Sequence, residues 1–133
     1  MDMTTAQKLQ MYIAAELGDA ALYRELANIA DNEEDRQLLL EFAEDEQSHA
    51  EEFQQIYRMM TGRSFHPYVQ PPVLRGTFRD VLRERVLDES GDFRKYGLQY
   101  METQRNNRLR DAYYRARTDE NVHALRLLYM LSR

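Results

Sequence analysis

Two stretches of one pattern, Asp45-Glu46-Gln47-Ser48-His49-Ala50 and Asp119-Glu120-Asn121-Val122-His123-Ala124, hold the residue types best suited to chemistry in this sequence. In each, a glutamate and a histidine stand three positions apart, and an α-helix that turns once in about 3.6 residues places both on one face. Such a pair can grip a metal ion. A single Glu-x-x-His is usually a solvated surface pair, but here each copy follows a lone glutamate, Glu16 or Glu89, at a distance of 30 or 31 residues. The recurrence makes a set of six: Glu16, Glu46, His49, Glu89, Glu120 and His123.

The elements that must position these six can be read from the apolar spacing. A helix capped by Thr4 or Thr5 and running to about Ala30 has the seam Leu9, Ile13, Glu16, Ala20, Tyr23, Ala27 and Ala30. After the acidic turn at Asp31 to Asp35, a second helix has Leu39, Phe42, Glu46, His49, Phe53, Ile56 and Met60, and Gly62 can end it in the left-handed conformation. Pro67, Pro71 and Pro72 then exclude a helix. Thr77 caps a third helix with Phe78, Leu82, Val86, Glu89, Phe93, Tyr96, Tyr100 and Thr103, and a break at Asn106-Asn107 leads to a fourth with Leu109, Tyr113, Ala116, Glu120, His123, Leu127 and Met130. The expected fold is therefore all-α: a four-helix bundle of hairpins 4–61 and 77–131 joined by the long crossover 62–76, one domain over residues 1–133.

The hairpins also repeat each other. Glu16, Gly18, Asp19 and Tyr23 return as Glu89, Gly91, Asp92 and Tyr96 at an offset of 73, and the two hexapeptides stand at an offset of 74. A pseudo-twofold axis follows. It brings four carboxylates and two imidazoles onto buried seams, where each unpaired carboxylate costs several kcal/mol. Two divalent cations carry the four positive charges that this set lacks, and one nitrogen per ion among oxygen ligands suits iron or manganese better than a structural zinc site.

Composition narrows the alternatives. The 133 residues suffice for one core, and a 43% apolar share with only 5 Gly and 3 Pro fits a soluble helical chain. There is no cysteine, which removes disulfides, thiol catalysis and rubredoxin-type iron ligation. Residues 1–66 carry 5 basic and 14 acidic side chains and residues 67–133 carry 13 and 9, but the arginines of the second half alternate with acids, so no nucleic-acid partner is expected. No apolar run reaches membrane-spanning length and Met1-Asp2-Met3-Thr4-Thr5 lacks the features of a secretion signal, so the expected location is the cytoplasm, with no membrane partner.

On these residues, from Glu16 to His123, the chain resembles the ferritin-like di-iron carboxylate proteins, and within them the rubrerythrin-like branch. The resemblance implies that Glu46 and Glu120 bridge two iron ions, with manganese as the alternative metal, that Glu16 and His49 complete one ion's ligands, and that Glu89 and His123 complete the other's. It implies that Asp45 accepts a hydrogen bond from His123 and Asp119 one from His49, and it makes the Tyr23 and Tyr96 hydroxyls candidates for a catalytic role beside the site. It further implies reduction of hydrogen peroxide or oxygen, an external electron-donor protein such as a rubredoxin, and a homodimer. Rubrerythrins that act as peroxidases usually carry a rubredoxin domain and an extra glutamate one turn after the third-helix ligand, where this chain has Asp92. Ferroxidase activity and a non-catalytic, metal-stabilised partner-binding bundle are the competing readings. Asp19 and Asp92 are expected to be exposed helix acids, Gly18 and Gly91 to open space or to allow close packing, His66 to be a loop residue, and Met59, Met60 and Met130 to fill core.

Overall fold

The computed structural model describes residues 2–133, so that Met1 of the expected 1–133 unit lies outside the described residues. Four helices follow in order: α1 Thr5–Asn28, α2 Glu33–Thr61, α3 Phe78–Glu102 and α4 Asn107–Leu131, with no strand among the described residues. Their starts are set by side chains that satisfy otherwise orphaned backbone donors. Thr4 forms a reciprocal capping box with Gln7 and Thr77 one with Asp80, while Asn32 and Asn106 accept from the backbone amides of Asp35 and Leu109. Glu33, Glu34 and Asp35 then lie in the first turn of α2, at the positive end of its dipole. Gly62, at φ 73°, closes α2 in the left-handed region where a Cβ is penalised.

Helix α1 packs on α2 and α3 on α4, and α2 against α4 joins the hairpins. The all-α bundle and its long connection are thus as the sequence predicts, although α1 ends two residues before Ala30. Two apolar layers show how the helices run. One layer combines Leu9, Tyr12 and Ile13 of early α1, Phe53 and Ile56 of late α2, Tyr96 of late α3, and Leu109 and Tyr113 of early α4. The other combines Tyr23 and Leu26, Leu39 and Phe42, Val81 and Leu82, and Leu127 and Met130, from the opposite ends of the same helices. Hence α1 and α4 run one way, α2 and α3 the other, and the polar seam residues fall between the layers.

Met59 and Met60 depart from expectation. They are exposed near the end of α2, where the Arg108 guanidinium of α4 reaches the Met59 sulfur without covering it, whereas Met130 is buried as core. Phe93 is only half-buried, and the α3 position that is buried next to Leu82 is Arg85 rather than Val86. His66 is a loop residue whose ring meets the Gln54 amide at 3.1 Å.

Candidate metal centre

All six seam residues are buried: Glu16 from α1, Glu46 and His49 from α2, Glu89 from α3, and Glu120 and His123 from α4. The fold forms two overlapping groups, Glu16-Glu46-His49-Glu120 and Glu46-Glu89-Glu120-His123, and within each group one donor atom per residue lies within 4.8 Å of all the others. Glu46 and Glu120 belong to both. His49 Nδ1 is 2.8 Å from Glu16 Oε1 and 3.5 Å from Glu46 Oε1. His123 Nδ1 is 3.4 Å from Glu120 Oε1, 3.5 Å from Glu46 Oε1 and 3.6 Å from Glu89 Oε2.

The outer ring nitrogens are engaged crosswise between helices. His49 Nε2 stands 2.6 Å from Asp119 of α4, and His123 Nε2 stands 2.8 Å from Asp45 of α2. Both expected pairings are therefore present, and both leave Nδ1 turned toward the carboxylates. An imidazole held this way is fixed in orientation and made more basic, as metal-binding histidines usually are.

A divalent cation fits this donor set. Both oxygens of Glu46, both of Glu120, Glu89 Oε2 and His123 Nδ1 are buried without any hydrogen-bond partner in the protein. Buried polar atoms are seldom left unpaired, because desolvation costs about 1–3 kcal/mol for each. Six such atoms converging on one space are the mark of a binding site.

The proton affinities carry the same message. In the protein by itself, burial and then the Glu16 charge push the Glu46 carboxyl up to about 8, and burial followed by the charges of Glu16 and Glu46 raises Glu120 well above the carboxylate range. Burial alone would lower both histidines, but Asp119 and Glu16 raise His49 well above its ordinary value, and Asp45 and Glu89 bring His123 up to about 9. The cluster retains protons because it lacks positive charge. Glu89 is the exception: burial would raise it, but His123, Arg85 and Tyr23 hold it below the usual carboxylate value.

The structure separates the two tyrosines. Tyr23 Oη donates to Glu89 Oε1 at 2.5 Å, whereas the buried Tyr96 hydroxyl has no partner and faces the charge of Glu16 and Glu120. Arg85 is the residue that the periodicity missed. It is buried, and its guanidinium donates to Tyr23, Asp88 and Glu89 and pairs with Asp19. Asp19 is accordingly not an exposed acid: burial raises it to about 7 against the opposing effect of Arg85. Asp92 is also partly covered, and it pairs with Lys95 at 3.2 Å. Gly18 and Gly91 face open space, since a Cβ at either would meet nothing within 4 Å.

The pseudo-twofold also fails in the ion pairs between α2 and α4. On one side Arg126 of α4 reaches Glu41 of α2 at 3.0 Å. The equivalent pair on the other side is Arg115 and Glu52, but Glu52 binds Arg108 instead, at 2.8 and 3.0 Å. A cavity of about 130 Å³, lined by Ser48, His49, Glu52, Asp111, Ala112 and Arg115, opens there against the His49 ring.

Comparison with known proteins agrees with this geometry. A family model described as Rubrerythrin matches residues 8–131. The uncharacterized protein YhjR of Bacillus subtilis (strain 168) is 31% identical over 130 residues, covering 98% of this chain and 88% of that protein. No solved structure matches the chain significantly. The matched span takes in all four helices and all six clustered residues, and the chain belongs to the rubrerythrin family.

Proposed function

We propose that the chain is a di-iron protein that reduces hydrogen peroxide or oxygen with electrons from a separate donor protein such as a rubredoxin. The observation that supports this most is the sharing of Glu46 and Glu120, all four of whose oxygens lack a protein partner, between two donor groups that each end in one histidine. In this reading both ions would be held by Glu46 and Glu120, one of them also by Glu16 and His49 and the other also by Glu89 and His123. When bound, an iron pair supplies reversible one-electron changes at two adjacent ions, which together meet the two-electron demand of peroxide reduction.

The protein's own part is to hold and exclude. Asp45 and Asp119 keep both Nδ1 atoms inward, and the two apolar layers keep bulk water from either end of the cluster. Conversion of one peroxide to two waters consumes two electrons and two protons. Tyr23 Oη holds a proton 2.5 Å from Glu89 Oε1, and half-buried Asp19, raised to about 7, stands outside it across Arg85. The cavity against His49 is wide enough for a molecule the size of peroxide or oxygen to approach.

Steady consumption of peroxide or oxygen by the iron-loaded chain with a reduced rubredoxin tests this, and donor oxidation that depends on neither oxidant, or no turnover with either, would contradict it. The pairing of Asp92 with Lys95, on its own helix, supports a second reading, ferroxidase activity, since a lysine engages the carboxylate at the position where peroxidase rubrerythrins usually carry an extra glutamate. Stoichiometric oxidation of added ferrous iron with no sustained peroxide turnover would favour that second reading.

A further inference from the structure

The two donor groups are related by the sequence repeat, but their surroundings are not. Glu89 Oε1 accepts from two groups, Tyr23 Oη at 2.5 Å and Arg85 Nη2 at 3.3 Å. Arg85 is only 6% exposed. It is fixed by Tyr23 Oη at 3.2 Å, Asp88 at 3.1 Å and Asp19 at 3.2 Å, and its guanidinium carbon lies 5.1 Å from the Tyr23 ring centroid. Asp19 and Asp88 offset part of its charge from more exposed positions.

Nothing equivalent meets Glu16. The repeat offset of 73 places Tyr12 where Arg85 stands, and Tyr12 is an uncharged ring packed edge-on against Tyr96 at 5.3 Å. Tyr96, which corresponds to Tyr23, leaves its hydroxyl unpartnered. Lys95, the cation on that side, pairs with Asp92 and lies over the Tyr12 and Tyr96 rings at 5.0 and 4.6 Å, with no ion pair to Glu16 among the described residues. Glu16 is met instead by His49 Nδ1 at 2.8 Å, a member of its own donor group.

Two donors on Oε1 leave Oε2 as the Glu89 oxygen without a protein partner. A buried guanidinium against one ligand also repels any dication placed beside it, with little solvent to screen the effect. We propose that Arg85, positioned through Tyr23, makes the two metal positions unequal: the Glu16/His49 position binds a divalent cation more tightly and fills first. The Glu89/His123 position is then the weaker, exchangeable one. This rests on the two-metal reading above.

Calorimetric titration of the metal-free full chain with Mn²⁺, with bound metal counted independently, tests it without any turnover. The unmodified chain should bind in two unequal steps, with Glu89→Gln abolishing the weaker and Glu16→Gln the tighter. Arg85→Met should tighten the weaker step by roughly tenfold, the scale of one partly screened charge contact. Tyr23→Phe, which keeps the shape of the core, should shift the same step in the same direction by less. Two equal steps in the unmodified chain, a weaker step that belongs to Glu16, or a step ratio unmoved by both Arg85→Met and Tyr23→Phe would overturn the inference. A chain that binds no Mn²⁺ at all would overturn the two-metal reading itself, a separate failure.

Discussion

Glu46 and Glu120 are the residues on which both halves of the centre depend, since each has two buried oxygens without a protein partner and each belongs to both donor groups. Glu46→Ala or Glu120→Ala should therefore lower occupancy at both metal positions together, whereas His49→Ala should weaken mainly the Glu16 position. Metal counting by mass spectrometry on the three variants checks this, and equal small losses in all three would contradict the assigned sharing. These six residues were legible because carboxylates and imidazoles stood at apolar seam positions, where only a compensating charge makes burial tolerable. Arg85 was not legible in the same way. From Leu82 the seam can step by three to Arg85 or by four to Val86, and apolarity favours Val86, although the structure buries Arg85 against Tyr23 and Glu89. The signal that could have found it is Glu89 itself: a residue one turn before a buried carboxylate shares its face.

At the scale of elements, local signals set the helix limits well. Thr4, Asn32, Thr77, Asn106 and Gly62 each have a capping role that depends on their own side chain or backbone freedom. Gly62→Ala should cost about 1–2 kcal/mol in urea unfolding, because it forces a Cβ into the left-handed region. The ends of the apolar pattern were less legible. Met59 and Met60 continue the spacing of α2, but spacing does not report what stands opposite its last turn, which is the polar Arg108 side chain at Met59, and both are exposed. The cavity beside His49 was also hidden, since spacing does not report that Glu52, which lines it together with Arg115, pairs with Arg108. Ser48→Phe should fill it, slowing metal uptake in stopped-flow measurements several-fold while leaving the equilibrium metal content unchanged.

At the scale of the whole molecule, the cluster links stability to pH and to metal. Without metal, Glu46 rises from 4.5 to about 8 and His123 from 6.5 to about 9, with Glu120 and His49 raised in the same sense. Each of these groups holds more protons folded than unfolded in that window, so the stability present at low pH is lost as pH rises through the folded values. The melting temperature of metal-free protein should fall between pH 5 and 9, with each titrating group contributing up to about 1.4 kcal/mol per pH unit. Glu89, lowered rather than raised, does not add to this fall. A metal ion held there would compete with those protons, so the gain in melting temperature on metal loading should grow with pH over the same interval. A metal-free melting temperature that rises from pH 5 to 9 would contradict the charge imbalance.

The pseudo-twofold arrangement of the whole bundle was legible from the paired hexapeptides and the offset of 73 or 74, because a repeated hairpin can bury its polar seam only against its own copy. The departures from symmetry, at Arg85 and at the Glu52 side, lie in residues that the repeat does not share. The central claim is that the symmetric part holds two metals. Anomalous diffraction from crystals of the metal-loaded chain measures it most directly. Two peaks inside the bundle are expected, one beside Glu16 and His49 and one beside Glu89 and His123, with Glu46 and Glu120 between them; a single peak, or none within the cluster, would contradict it.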